Sequence, residues 1–459
     1  MKKKIFRRAI LAIAISLVVL FVIFHYDNGE YNRDNIDEYV YRMCELYGVP
    51  GFSAAVIDGD SKYFINVGNA IDENSRFELA STTKAFTALG ILKLAKENRL
   101  SITDPVSRYL TWFKPTYNGE VCDITVENLM CHTSGIPEWT ITTIPEGEGS
   151  EEGLLKRTIQ NIKDVKLDSI PGTQHEYATI NYDVLALIIE EVTGEKYEDY
   201  MTSEILGPLG MDNSFFRISD EDQMKEVQGY KAMFLKPQKF NAPTYYGNTA
   251  AGYLVSSTSD LMKWLEVWSE GSKDNSPFVN MVDDALSYDV SDTGNYYAGW
   301  NIYDTYICHG GNNPNFSSQV IIGRGERIGV FTLSNLAGSS ATMIADGIYR
   351  ILLGENIKIE LQLDPIAVAD FISIETILLT LYLLLLFGDV KSKKACILST
   401  LVSVILMASA MILPIVFHYP YNAMFVWLPI TVCIAIGVML AGAVILTATY
   451  LFRLHLSQS

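Results

Sequence analysis

Ser81 and Lys84 stand three residues apart in Glu78-Leu79-Ala80-Ser81-Thr82-Thr83-Lys84, at the head of a helically periodic run, Ser81–Asn98. On a helix that spacing puts both side chains on one face, so the lysine amine can reach the serine hydroxyl. Burial and the positive end of a helix dipole both favour a neutral amine, which can take a proton. A serine so activated is a nucleophile. The motif occurs once in the chain, and alone it also fits an ordinary helix surface. Three further segments concentrate reactive side chains: Cys131-His132-Thr133-Ser134-Gly135-Ile136-Pro137, then Pro171 to Tyr182 (PGTQHEYATINY), then His309 to Ser318 (HGGNNPNFSS).

In this order the segments resemble the serine β-lactamase-like hydrolases of the class C and D-aminopeptidase branch, peptidase family S12. The resemblance spans nearly all of residues 32–360, and Ala251–Ser257 is similar to the family's segment before a surface helix. It implies Ser81 as the acylated nucleophile, Lys84 as base and Tyr177 as second proton carrier. It further implies His309, Gly310 and Gly311 as an edge strand whose small residues admit substrate backbone. The backbone N–H groups of Ser81 and Asn312 would form the oxyanion hole. Two positions depart from the family pattern. Its Tyr-x-Asn is Tyr177-Ala178-Thr179, and its Lys-Thr-Gly is His309-Gly310-Gly311. The lost asparagine amide helps hold the substrate amide in the family, so efficient β-lactam hydrolysis is not implied.

One sub-branch is similar in more detail, the colibactin-maturation-type prodrug-activating peptidases, which carry three membrane helices after the hydrolase domain. They remove an N-acyl-D-asparagine cap from an exported non-ribosomal peptide product. The resemblance implies a substrate pocket at Thr179, Asn248 and Asn313, with Asn248 standing where those enzymes have histidine. The alternative activities are a cell-envelope D-alanyl carboxypeptidase, a D-aminopeptidase or an esterase. An acylated sensor would need a cytoplasmic output domain, for which only short loops and ends remain.

The elements that must position these residues are legible as patterns. Asn35–Tyr47 reads as a helix with Ile36, Val40 and Met43 on one face, and Leu185–Val192 continues another. Phe52–Ile57 and Lys62–Val67 alternate around Asp58-Gly59-Asp60, and Ser318–Ile322 and Ile328–Ser334 flank Gly323–Glu326; both read as hairpins. A helix over Thr342–Leu353 follows. Strands at both ends with helices between predict an α+β fold, an antiparallel sheet flanked by helices plus a helical insert.

Of the 459 residues 49% are hydrophobic, yet the net charge is −18. Residues 27–365 hold 26 bases and 50 acids, a net −24, between apolar, mildly basic ends. No nucleic-acid partner is expected of so acidic a body. Ala9–Phe24 follows a basic start and reads as a signal anchor or a cleaved signal peptide. Val368–Phe387, Ala395–Phe417 and Phe425–Phe452 are each long enough to cross a bilayer. Lys391, Lys393 and Lys394 lie between the first two, and the loop His418–Ala423 has no Lys or Arg. The positive-inside rule then places the body outside the cytoplasm. The expected domains are 1–26 anchor, 27–365 extracytoplasmic hydrolase and 366–459 three-helix membrane domain. Expected partners are the lipid bilayer and a peptide or acylated-peptide substrate. An exporter, or a second copy through the membrane helices, is a further expectation. Glu375 reads as an intramembrane functional carboxylate or an interfacial one. His132 reads as structural and His175 as a surface residue. Cys122 and Cys131 are a candidate bridge or, preferably, free thiols. No pattern calls for a metal or cofactor.

Overall fold

The computed structural model describes residues 29–145, 153–270, 278–291, 294–359, 362–387, 393–417 and 419–458. The expected anchor, 1–26, and residues 388–392 of the basic loop lie outside them. The chain divides into two compact units. Among the described residues, one comprises those within 31–230 and 239–357; the other comprises 29–30, 231–238 and those within 358–458.

The first unit is built on seven antiparallel strands drawn from both ends of the chain segment. They are β1 (Gly51–Asp58), β2 (Ser61–Gly68), β3 (Tyr296–Tyr297), β4 (Trp300–Ile302), β5 (Tyr306–Asn312), β6 (Ser317–Gly323) and β7 (Ile328–Ser334). Their order is β3-β4-β5-β6-β7-β1-β2. The central pairing sets Val56 against Val330 and Phe52 against Ser334. Central strands read as continuous apolar runs because both faces are covered; β6 and β7 are buried throughout. Helix α1 (Ile36–Tyr47) lies with the C-terminal helix of this unit, and the sheet is further covered by the helix Thr258–Glu270.

Between β2 and β3 comes the helical insert, centred on α2 (Thr83–Lys96) and α3 (Ile180–Thr193), followed by α4 (Thr258–Glu270) and then, after β7, α5 (Ser340–Leu352). Eleven residues of α2 are buried. A helix apolar around its whole circumference belongs in the middle of a domain. Phe86 of α2 stacks on Trp264 of α4 with ring centroids 3.7 Å apart, which fixes α2 against the sheet side of the core. The helix expected from Ser81 begins at Thr83; Ala80–Thr82 form a tighter 3-10 turn.

The second unit contains three helices long and apolar enough to cross a membrane, α6 (Pro365–Phe387), α7 (Lys393–Phe417) and α9 (Ile430–Gln458), with a short α8 (Tyr421–Trp427) between the last two. The last expected span, from Phe425, is therefore corrected. Leu428 is extended because it precedes Pro429, and the long helix starts only at Ile430. Small residues let these helices approach: a Cβ on Gly442 would lie 2.9 Å from Thr380 Cγ2, and Ser403 Oγ donates to Ala443 O at 2.7 Å. Cys44, Cys122, Cys131, Cys308 and Cys433 are free thiols.

Gly347 of α5 meets α1 so closely that a Cβ there would overlap the Tyr39 hydroxyl, itself donating to Met343 O at 3.3 Å. Gly347→Ala should destabilise the protein by about 1–3 kcal/mol, as overpacking does. The check is a lowered midpoint of thermal unfolding, with Gly325→Ala tested beside it on the β6–β7 turn, where an added Cβ meets no neighbour and costs only the strain of a φ of +85°.

Candidate active site

Ser81 sits in the turn that opens α2. The residue before it, Ala80, has φ +49°, a left-handed conformation rare for a residue with a Cβ. Two contacts hold the turn in place. Thr82 Oγ1 donates to Leu79 O at 2.8 Å, and Ser318 Oγ donates to the same carbonyl at 2.5 Å. One turn on, Lys84 is fully buried. Its Nζ donates to Ser81 Oγ at 3.1 Å and to Ala251 O at 2.9 Å. It also lies 5.2 Å from the Tyr177 ring centroid and 5.8 Å from that of Tyr182. The three residues assigned to proton chemistry are thus in one place, and the buried Tyr177 hydroxyl has no hydrogen-bond partner of its own.

Strand β5 closes the other side. A Cβ on Gly311 would lie 3.0 Å from Ser81 N and overlap Leu79 O, so only glycine lets the strand run this close. Asn312, the next residue, anchors the strand end by accepting from Gly338 N at 2.9 Å through Oδ1. Residues 309 and 311 share a strand face, which turns His309 toward the same side as Gly311. Its ring is 6.3 Å from Tyr177, and Nε2 pairs with Tyr296 Oη at 2.9 Å. Its Nδ1 pairs with Gly310 O at 2.7 Å. A carbonyl only accepts, so the proton is on Nδ1 and Nε2 accepts from the tyrosine. Burial, with the Lys84 charge adding to it, pushes His309 down to about 3.

His132 packs under Tyr177, centroids 4.1 Å apart, from a left-handed backbone with φ +53°. Its Nδ1 accepts from Ala178 N at 3.3 Å and from Asn181 Nδ2 at 3.0 Å, and burial keeps the ring neutral, its pKa well below the usual value. His132 therefore supports the tyrosine from beneath. His175, expected on the surface, is exposed.

Of the expected pocket residues, Thr179 is half-buried at the head of α3. Asn313 is buried, donating through Nδ2 to Gly252 O at 3.0 Å and to Glu78 Oε2. Asn248, with its amide oriented to satisfy both groups, donates to the two Asp183 oxygens at 2.8 and 3.1 Å. Burial raises the Asp183 carboxyl well above the carboxylate range, the Lys84 charge pulling the other way. Glu78 pairs with buried Arg217 at 2.7 Å, and Arg217 also binds Glu226. Burial and the Glu78 charge push Glu226 up to about 8 against the pull of Arg217. Glu78 was visible in the Ser81 motif, but its role was not. Asp183, Arg217, Glu226 and Tyr296 have no local sequence signal, since none meets its partner at a helical or strand spacing: even Arg217 and Glu226 stand 9 residues apart and Tyr296 and His309 13.

A serine and a buried lysine on one turn, a tyrosine above them and a glycine-lined strand beside them define a serine hydrolase site of the penicillin-recognising architecture. The beta-lactamase family model matches residues 34–355, and the chain belongs to that family. It is 28% identical to Protein flp of Staphylococcus aureus (strain N315) over 88% of this chain and 87% of that one. The octameric penicillin-binding protein homologue from Pyrococcus abyssi superposes with TM-score 0.60 at 26% identity, over 74% of this chain and 81% of that one. EstCE1, a hydrolase with promiscuous acyltransferase activity, shares the fold with TM-score 0.59 at 18% identity, over 69% and 98%.

Both histidines are neutral when folded and titrate near 6.5 when unfolded. At these two residues the unfolded chain binds more protons below pH 6.5, so their contribution to stability is full above that pH and declines as pH falls toward 3. The raised carboxyls of Asp183 and Glu226 contribute the opposite slope between pH 7 and 5, so the check is comparative: at pH 5 the urea midpoint of His309→Gln, taken relative to its own value at pH 7, should lie above that of the unsubstituted protein.

Proposed function

We propose that this chain is a membrane-anchored serine peptidase or amidohydrolase that removes an N-acyl-D-amino-acid cap, D-Asn-like, from an exported non-ribosomal peptide product. The observation that carries the reading is the Lys84 Nζ to Ser81 Oγ contact at 3.1 Å beside an unpartnered Tyr177 hydroxyl. In the proposed step the serine hydroxyl gives its proton to the Lys84 amine, and Oγ attacks the scissile carbonyl. The tetrahedral oxyanion lies against the backbone N–H groups of Ser81 and Asn312. Tyr177, between the lysine and the leaving group, delivers the proton to the departing amine, and water then releases the acyl group by the reverse path.

Two observations favour an uncapping amidase over a D-alanyl carboxypeptidase. A substrate ending in a carboxylate needs a cation beside β5, whereas His309 is buried, neutral and bonded through both nitrogens. Asn313 spends its N–H groups on Glu78 and Gly252, which turns its oxygen to the role of acceptor. An acceptor there suits the N–H2 of a D-Asn carboxamide and repels the carboxylate of D-Asp. On this reading the three apolar helices are the anchor, and the distribution of lysines around them supports a body outside the cytoplasm.

Membranes carrying the protein should cleave an N-acyl-D-Asn amide in preference to the D-Asp analogue. Ser81→Ala should lose at least about 10⁴-fold of that activity, and Tyr177→Phe about 10²–10⁴-fold in kcat. No cleavage of the D-Asn amide by the intact protein would overturn the D-Asn assignment, and equal activity of Ser81→Ala would overturn the acyl-enzyme.

A further inference from the structure

The helical unit takes in a piece of chain far from it in sequence, residues 231–238. They form most of a hairpin whose strands are Tyr230–Met233 and Lys236–Lys239. Two polar contacts fasten it within that unit. Lys231 Nζ donates to Phe425 O at 2.8 Å and Val426 O at 2.7 Å. These are carbonyls of the last turn of α8, which lack partners inside the helix. Leu235 N donates to Asp370 Oδ2 at 2.5 Å, and the other Asp370 oxygen accepts from Thr431 Oγ1. Asp370, not Glu375, is thus the fully buried carboxylate of α6; Glu375 is half-buried.

The turn between the strands is Phe234-Leu235, with φ +53° and +57°. Two-residue hairpin turns with both residues left-handed are ordinarily Asn-Gly or Asp-Gly. Bulky side chains in that conformation are conformationally costly, and here they are also exposed, Phe234 by 45% and Leu235 by 50%. An apolar, strained tip pointing into water would lose on both counts. Its depth supplies the reason. Asp370 lies five residues into the apolar helix that starts at Pro365, about 7 Å along its axis. The outward-facing apolar side chains of α6 begin just beyond, at Ile372. The tip is therefore level with the end of the hydrocarbon-facing surface, and exposed Lys236 follows it, a placement that suits a side chain reaching back to lipid phosphate.

We propose that Phe234 and Leu235 enter the interfacial zone of the lipid bilayer, so that the hairpin is a membrane contact of the helical unit beside its three long helices. Its occupant is the boundary between headgroups and acyl chains, continuous with the lipid-facing surface of α6. This rests on the reading that the three helices cross a membrane.

The test uses the full chain in vesicles of phosphatidylcholine and phosphatidylglycerol, with an environment-sensitive fluorescent amino acid placed at 234, at 235, at Leu385 or at Met224 in separate proteins. Labels at 234 and 235 should be quenched several-fold more by a nitroxide near the top of the acyl chain than by aqueous iodide. The label at Leu385, an exposed residue of α6, should be quenched from within the acyl-chain region, and the one at Met224, an exposed residue of the other unit, by iodide. Iodide quenching at both 234 and 235, with Leu385 in lipid, would overturn the hairpin's insertion alone. Iodide quenching at Leu385 would overturn the membrane-crossing reading and this proposal with it. Two tip positions guard against one label disturbing the turn, and an unchanged midpoint of thermal unfolding certifies each labelled protein as folded.

Discussion

The hydrolase site depends on one buried amine. Lys84 Nζ can reach Ser81 Oγ only because α2 is sunk in the core, and it stays there because Ala251 O accepts from it. An amino group without a partner at that depth would be too costly to keep. The carbonyl from a segment 167 residues away in sequence meets that need. The 3-10 turn, the strained Ala80 and the glycine at 311 all follow from bringing strand, helix and serine within a few ångströms.

Around that amine the fold settles charge in two ways. Where a group can be neutral, burial makes it so: His309 and His132 keep their protons off the second nitrogen, and Asp183 shares its oxygens with one amide. Where charge is kept, it is matched. Arg217 is flanked in a buried triad by Glu78 and by Glu226, whose carboxyl burial pushes up to about 8 and so toward neutral, and Glu78 passes the constraint on to Asn313. Such triads contribute little net stability but enforce one arrangement of the side chains they touch. Here the side chain so fixed is Asn313.

Much of the framework was legible in the sequence. The hairpin patterns at Phe52–Val67 and Ser318–Ser334 report local alternation, and they became β1–β2 and β6–β7 nearly residue for residue. Three spans could be read from length and apolarity alone. The break at Leu428-Pro429 was missed because an apolar run conceals a change of backbone direction. The pairing of Glu78 with Arg217 and of Asn248 with Asp183 was not legible either, since polar side chains carry no periodicity that names a distant partner.

The sequence by itself determined the class of chemistry, through the Ser-x-x-Lys spacing and the glycines beside it, and the division into acidic body and apolar helices, because both are local properties of composition and period. Only the tertiary structure decided that burial pushes His309 toward its neutral form, that the Asn313 N–H groups go to Glu78 and Gly252, and that residues 231–238 belong with the helices. Each of these turns on which group lies opposite another once the chain is folded, and burial gives that opposition its energy.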